Sequence, residues 1–281
     1  MSVPRRVWIV GPVAWDTVAH VDQFPVRGRF TQCRNTIERP GGTAANVAQA
    51  LATAGIETGF VTTVGDDAIG RRLRATLTAS RITHLVVHGT PDESRHVLVL
   101  VDDDGDRTIL GLSPDTIGRI TCRDAPLERG DIVVFVVWSD HFLPDLDRAR
   151  AHGCTTVVGL GALDNPAVTA DVAFGSRADA TGDVDPADHL GRFGRIVVTA
   201  GSEGALQLDA GGELRQGAIP ATVVDPTGAG DAFLAGYLAM YARGLKDGQQ
   251  ALEAGARWAA LTVSHEGSIP PEWGQVATER S

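Results

Sequence analysis

Residues 223–233 read Val-Val-Asp-Pro-Thr-Gly-Ala-Gly-Asp-Ala-Phe. A β-branched stretch ends at Val224, a glycine-containing turn follows, and an alanine-rich helical segment opens near Ala229. At such a junction the first helical N–H groups have no backbone partners and point outward. With the helix dipole they form an anion site. Gly228 and Gly230 lack side chains, so a phosphate can approach the backbone closely. Asp231 stands at the same place, where an ionised carboxylate can accept a proton from an attacking hydroxyl. Amides that stabilise a transferring phosphoryl group, beside a carboxylate base, are parts for phosphoryl transfer. A structural turn with Asp231 as helix cap uses the same residue types. The preceding strand, Asp225, Thr227 and the small-residue helix favour the chemical reading.

Two other places carry candidate ligand contacts. Asp16 follows the first apolar strand, and its carboxylate can accept charge-assisted hydrogen bonds from two adjacent hydroxyls. Gly41-Gly42 opens a helix on which Asn46, one turn in, offers both a donor and an acceptor. Trp15 suits either ring stacking on a ligand or packing in a hinge. Arg95, His96 and Arg107 read as solvated surface, and Asp102–Asp106 lacks the spacing and closing Glu of a calcium loop.

These residues need a frame. Residues 7–10, 59–64, 132–137, 155–160, 171–174, 195–199 and 222–224 read as short strands, most of them continuous apolar runs. Helices are predicted over 43–54, 68–79, 143–152, 229–243 and 249–265, and residues 268–281 read as a tail. Continuous apolar strands alternating with helices imply a mainly parallel sheet covered on both faces. Extended segments near 16–38 and 94–111, the second a hairpin around Asp104-Gly105, form a separate small sheet. The expectation is one domain over 1–281, an α/β core with a β lid.

Composition narrows the function. The 281 residues are 43% hydrophobic, enough for a substantial core. A net charge of −10 without a Lys/Arg run argues against nucleic acid as partner. Three scattered cysteines give neither a metal pattern nor a disulfide framework. No apolar run approaches the ~20 residues that span a bilayer, and the N-terminal apolar run is too short for a signal peptide. The expected location is cytoplasmic, with no membrane partner. Gly11-Pro12 after the first strand is no GxGxxG turn opening a helix, so a dinucleotide oxidoreductase fits poorly.

The segment at 223–233 closely resembles the C-terminal signature of the ribokinase-like, or PfkB, carbohydrate kinases. Four more segments resemble that family in the same order: GPVAWDTVAHVDQFP, GGTAANVAQALATAG, VGDDAIGRRL and VTAGSEGA. Together they span residues 7 to about 268. The resemblance implies a ribokinase-like, Rossmann-type core with a β lid, and transfer of the γ-phosphate of ATP to a hydroxyl of a sugar or sugar-like molecule. It implies Asp231 as base and Gly228, Ala229 and Gly230 as anion hole. Thr199, Gly201 and Gly204 map to the nucleotide loop; Asp16, Gly41, Gly42 and Asn46 map to acceptor contacts. Asp225 and Thr227 begin a loop that in many relatives binds potassium, which Gly267 would close. Magnesium is implied with the nucleotide. Where relatives carry N-x-x-E this chain has Ser176 and Asp179, so Asp179 would reach the metal through water. Trp138-Ser139-Asp140 likewise replaces a Glu or Gln of many relatives. An exposed lid face would suit a homodimer. A nucleoside acceptor and a non-catalytic sugar- or nucleotide-binding regulator are the alternatives.

Overall fold

Val7–Val10 is apolar at all four positions because both of its faces are covered. Val7 and Ile9 enter one core, Trp8 and Val10 the other, as the period-two alternation of a strand requires. The computed structural model describes residues 5–103, 106–179, 185–245 and 247–274. The Asp104-Gly105 turn and tail residues 275–281 lie outside them.

In chain order the elements are β1 (Val7–Val10), β2 (Ala14–His20), β3 (Asn35–Gly41), α1 (Thr43–Thr53), β4 (Thr58–Gly65), α2 (Ala68–Thr78), β5 (His84–Thr90), β6 (His96–Val101), β7 (Arg107–Gly111), β8 (Ile132–Phe135), α3 (Leu143–Ala151), β9 (Thr155–Gly159), β10 (Ala170–Ser176), β11 (Phe193–Thr199), β12 (Ala205–Asp209), β13 (Gly212–Gln216), α4 (Ala229–Ala242) and α5 (Gly248–Val263). The main sheet has the order β13-β12-β11-β10-β9-β8-β1-β4-β5. It is parallel from β11 to β5 and antiparallel at β12 and β13. Helices α1, α2, α4 and α5 cover one face, and α3 with irregular segments covers the other.

The lid is the sheet β3-β2-β6-β7. Ile37, Val18, Val99 and Ile109 stand in one row across its four strands, and the two isoleucines at the ends are exposed. The lid meets the core at residues 65–70 and 94. Asp67 Oδ1 accepts from Gly70 N at 2.6 Å and Ser94 Oγ at 2.7 Å, and Oδ2 accepts from Ser94 N at 2.7 Å. Burial would raise the Asp67 pKa, but these bonds and Arg71 more than offset it and hold it low. The clamp ties the start of α2 to the chain entering β6. Trp15 also belongs to this hinge, since the Arg72 guanidinium of α2 lies 5.3 Å from its ring centroid.

Two expectations about strands need correction. Residues 222–224 form no strand: Val223 and Val224 are 65% and 54% exposed. Two amides, Val224 N and Asp225 N, bond Val263 O at 2.7 and 3.2 Å and fasten the segment to the end of α5 instead. Conversely, β5 was not foreseen. It is the edge of the main sheet, and histidines interrupt its short apolar run.

Candidate active site

The C-terminal ends of parallel strands are where α/β sheets collect ligand sites, because the following helices point their N-termini there. α4 obeys this. Its second-turn Phe233 packs on Phe174, near the end of β10, with ring centroids 6.0 Å apart. Glycines seat α4 tightly on α5: a Cβ on Gly236 would come within 2.8 Å of Ala254 O, and one on Gly255 within 2.8 Å of Phe233. The helix is apolar nearly all round because core surrounds it.

The first turns of α1 and α4 meet at one hydrogen bond, Asn46 Nδ2 donating to Asp231 Oδ2 at 2.7 Å. Asn46 is 3% exposed, and its Oδ1 is buried without a partner. Both helices are opened by glycines at positive φ, Gly42 at 98° and Gly228 at 82°. Two positive dipole ends therefore converge on one carboxylate. The N-cap of α4 is Gly228, which places Asp231 at the third helical position rather than at the cap. Asn46 thus touches Asp231 directly, which its sequence position did not indicate.

The glycines of the turn differ in kind. A Cβ on Gly228 would fall 2.2 Å from Ser268 O, whereas one on Gly230 meets nothing within 4 Å. Gly228 is required by the backbone itself, whereas Gly230 has open space where a side chain would stand. Asp225 ties the turn down: Oδ1 accepts from Thr227 N at 2.8 Å and Oδ2 from Gly267 N at 3.0 Å. Burial pushes its pKa up, yet these bonds and the Arg39 charge together bring it below the usual value.

On the lid side, Asp16 is 8% exposed, and its carboxylate lies against the Cα of Gly41, where a Cβ would be 2.1 Å from Oδ2. Gly42 has similarly little room: a Cβ there would be 2.9 Å from Ala14 N and Pro12 O. Among the described residues nothing hydrogen-bonds the Asp16 carboxylate. Burial raises its pKa despite the opposing charges of Arg39, Arg95 and His96. Ionising Asp16 therefore costs more in the folded than in the unfolded chain, so stability is lost as pH rises from the ordinary 3.8 through the raised folded value. Asp16→Asn escapes that loss. It is expected to raise the thermal midpoint at neutral pH, with the gain fading in acid, and to weaken acceptor binding. Melting curves across pH check this, and a variant no more stable than wild type at neutral pH would contradict it.

The third group lies at the end of β11. Thr199 Oγ1 donates to Gly175 O at 3.4 Å, and a tight loop links β11 to β12. Gly201 and Gly204 take φ of 55° and 93°, and a Cβ on Gly204 would be 2.1 Å from Gln216 O. Asp179 ends a short turn after β10, and its side chain lies outside the described residues. Among the described residues no three His, Cys, Asp or Glu side chains gather as a metal site. Asp140, in the divergent 138–140 segment, accepts from its own neighbour Trp138 Nε1 at 3.0 Å. Arg39 was not foreseen. It stands two residues before Gly41 on β3, and strand alternation alone puts those two on one face.

The family profile described as pfkB family carbohydrate kinase matches residues 5–134 and 173–274. The chain belongs to that family. An ATP-dependent ribose-1-phosphate kinase of Halopiger xanaduensis is 30% identical over 94% of this chain and 93% of its own length. A nucleoside kinase of Methanothermobacter thermautotrophicus is 26% identical over 87% of this chain and 85% of its own. A fructokinase double mutant of Vibrio cholerae, solved with fructose, ADP and potassium, shares the fold with a TM-score of 0.79 at 20% identity, covering 99% of this chain and 98% of that one. This pfkB family member has the ribokinase-like α/β fold and is a kinase of sugars or nucleosides. No helix among the described residues is long and apolar enough to cross a membrane.

Proposed function

We propose that this kinase transfers the γ-phosphoryl group of ATP to a hydroxyl of a sugar or sugar-like molecule, with Asp231 as general base. The observation that carries this is the junction of the α1 and α4 N-termini at the Asn46–Asp231 hydrogen bond. Asp16 accepts from acceptor hydroxyls, and the glycine pair 41–42 lets the ligand reach the backbone. Asp231 takes the proton of the attacking hydroxyl while its oxygen bonds phosphorus. The bond to the bridging oxygen breaks, and ADP leaves. Charge on the transferring group meets the amides of Gly228, Ala229 and Gly230. Thr199, Gly201 and Gly204 hold the nucleotide. Magnesium brought in with ATP would neutralise charge on the β- and γ-phosphates, and Asp179, at the end of the short turn after β10, would hold it through water. A nucleoside acceptor is the second reading, supported by the relative named a nucleoside kinase. An ATP-consumption screen over pentoses, hexoses, their acids and phosphates, and nucleosides tests the proposal. Acceptor-dependent ADP release is expected; acceptor binding without any turnover would favour a regulator.

A monovalent cation fits the loop beside the anion hole. Asp225 is held in its ionised form, and Ser268 Oγ is buried there without a partner. Activity is expected to be higher in potassium than in sodium or tetramethylammonium chloride. Equal rates in all three would remove the cation from the account.

A further inference from the structure

The β2–β3 pairing sets Asp16 directly opposite Arg39. Residues opposite each other in an antiparallel pair share a face of the sheet. Opposite charges so placed ordinarily close on each other. Here they do not: Asp16 and Arg39 form neither an ion pair nor a hydrogen bond. Among the described residues Asp225 is the one carboxylate within ion-pair distance of the Arg39 guanidinium, with Nη1 at 3.7 Å from Oδ2, too long for a hydrogen bond; Asp16 feels the Arg39 charge only from further away. Arg39 Nε is buried without any partner, and the side chain is 20% exposed.

A guanidinium has five N–H donors and keeps its charge at any ordinary pH. Here one of them, Nε, is buried unspent, which is costly, and a partner rich in oxygen would relieve that cost. The side chain runs from the lid towards the core, where Nη1 would lie 3.5 Å from a Cβ on Gly267. It thus lies between the proposed acceptor-binding carboxylate, Asp16, and the turn that begins at Asp225. Asp225 is already satisfied by two backbone amides. It attracts the guanidinium without consuming its donors. The lid face therefore presents side by side an acceptor, Asp16, that no described residue hydrogen-bonds, and a donor fork, Arg39, whose buried Nε has no partner.

We propose that Arg39 is a specificity-determining residue that receives an anionic oxygen group of the acceptor, so that the substrate class is an anionic sugar, a sugar phosphate or sugar acid. Hydroxyls of the ring go to Asp16, and the phosphate or carboxylate oxygens go to the planar fork, which suits them bidentately. The proposal rests on the reading of this cleft as the acceptor site.

The test is steady-state kinetics of wild type, Arg39→Lys and Arg39→Met on matched acceptors: a pentose with its phosphate, and a hexose with its acid. Wild type is expected to favour the anionic member by about 10²-fold or more in kcat/KM, since a site built for a polar group rejects an analogue that lacks it. Arg39→Met should lose at least about tenfold of that preference, mainly through KM, and Arg39→Lys should keep part of it. The two acceptors are compared on one preparation, so a partly misfolded variant does not alter their ratio. The phosphate and acid arms tell which anion is meant. A wild type that favours neutral sugars, or a Met variant that loses both members equally, overturns the proposal. Calorimetry without ATP separates it from the kinase reading. Arg39-dependent binding of the anionic member with no turnover sinks the kinase reading alone. Turnover of neutral sugars indifferent to Arg39 sinks this one alone.

Discussion

Asp231→Asn is expected to lower turnover by roughly 10²–10⁴-fold, the usual worth of a positioned general base. The amide keeps the shape of the carboxylate, and its oxygen can still accept from Asn46 Nδ2, now 2.7 Å from Asp231 Oδ2. The first turns of α1 and α4 should therefore stay joined and the fold intact. What the amide lacks is the capacity to take the hydroxyl proton. Neither ground-state complex needs that transfer, so binding of ATP and acceptor should change far less than turnover. Rate and both binding constants are measured on the two proteins. A folded variant with near-normal turnover would mean that Asp231 only completes a helix end.

Gly228→Ala and Gly230→Ala should part company. At Gly228 the φ of 82° costs an alanine about 1–2 kcal/mol. The new Cβ would also sit 2.2 Å from Ser268 O, a backbone atom with little freedom to retreat. The turn must then move by on the order of 1 Å, a displacement that can lower the rate by about 10²-fold. Both stability and turnover should fall. At Gly230 the φ is ordinary and a Cβ meets nothing within 4 Å. Alanine is the better helix former by about 1 kcal/mol, so the melting point should hold or rise. Turnover should still drop, because the methyl group enters the space through which phosphoryl oxygens reach the amides. Melting curves and turnover of the two variants decide. A Gly230 variant as active as wild type would move the phosphoryl group away from this turn.

The parallel core was legible because strands buried on both faces must be continuously apolar, as β1 is. Where exposure broke that rule the reading failed. β5 is an edge strand whose Leu-Val-Val is flanked by His84 and His88, too short a run to stand out. Thr222-Val223-Val224 has the β-branched composition of a strand but finds no neighbouring strand to pair with, and two of its side chains stay in water. The turn and helix start at residues 225–231 were readable, because the residues that form them are contiguous. Contacts made by the fold were not. Asn46 and Asp231 are 185 residues apart, and nothing local links them. Arg39 faces Asp16 only through the β2–β3 register, and Gly228 owes its necessity to Ser268, on a segment after the last helix.

The central claim is tested most directly by a crystal structure with a non-hydrolysable ATP analogue and an acceptor identified by the screen. The account predicts the terminal phosphate on the amides of residues 228–230 and the adenine side of the nucleotide along residues 199–204 and α5. It also predicts an acceptor hydroxyl within about 2.6–3.2 Å of the Asp231 carboxylate, the reach of a general base. A terminal phosphate bound away from those amides, or an acceptor whose hydroxyls all lie out of reach of Asp231, would contradict it.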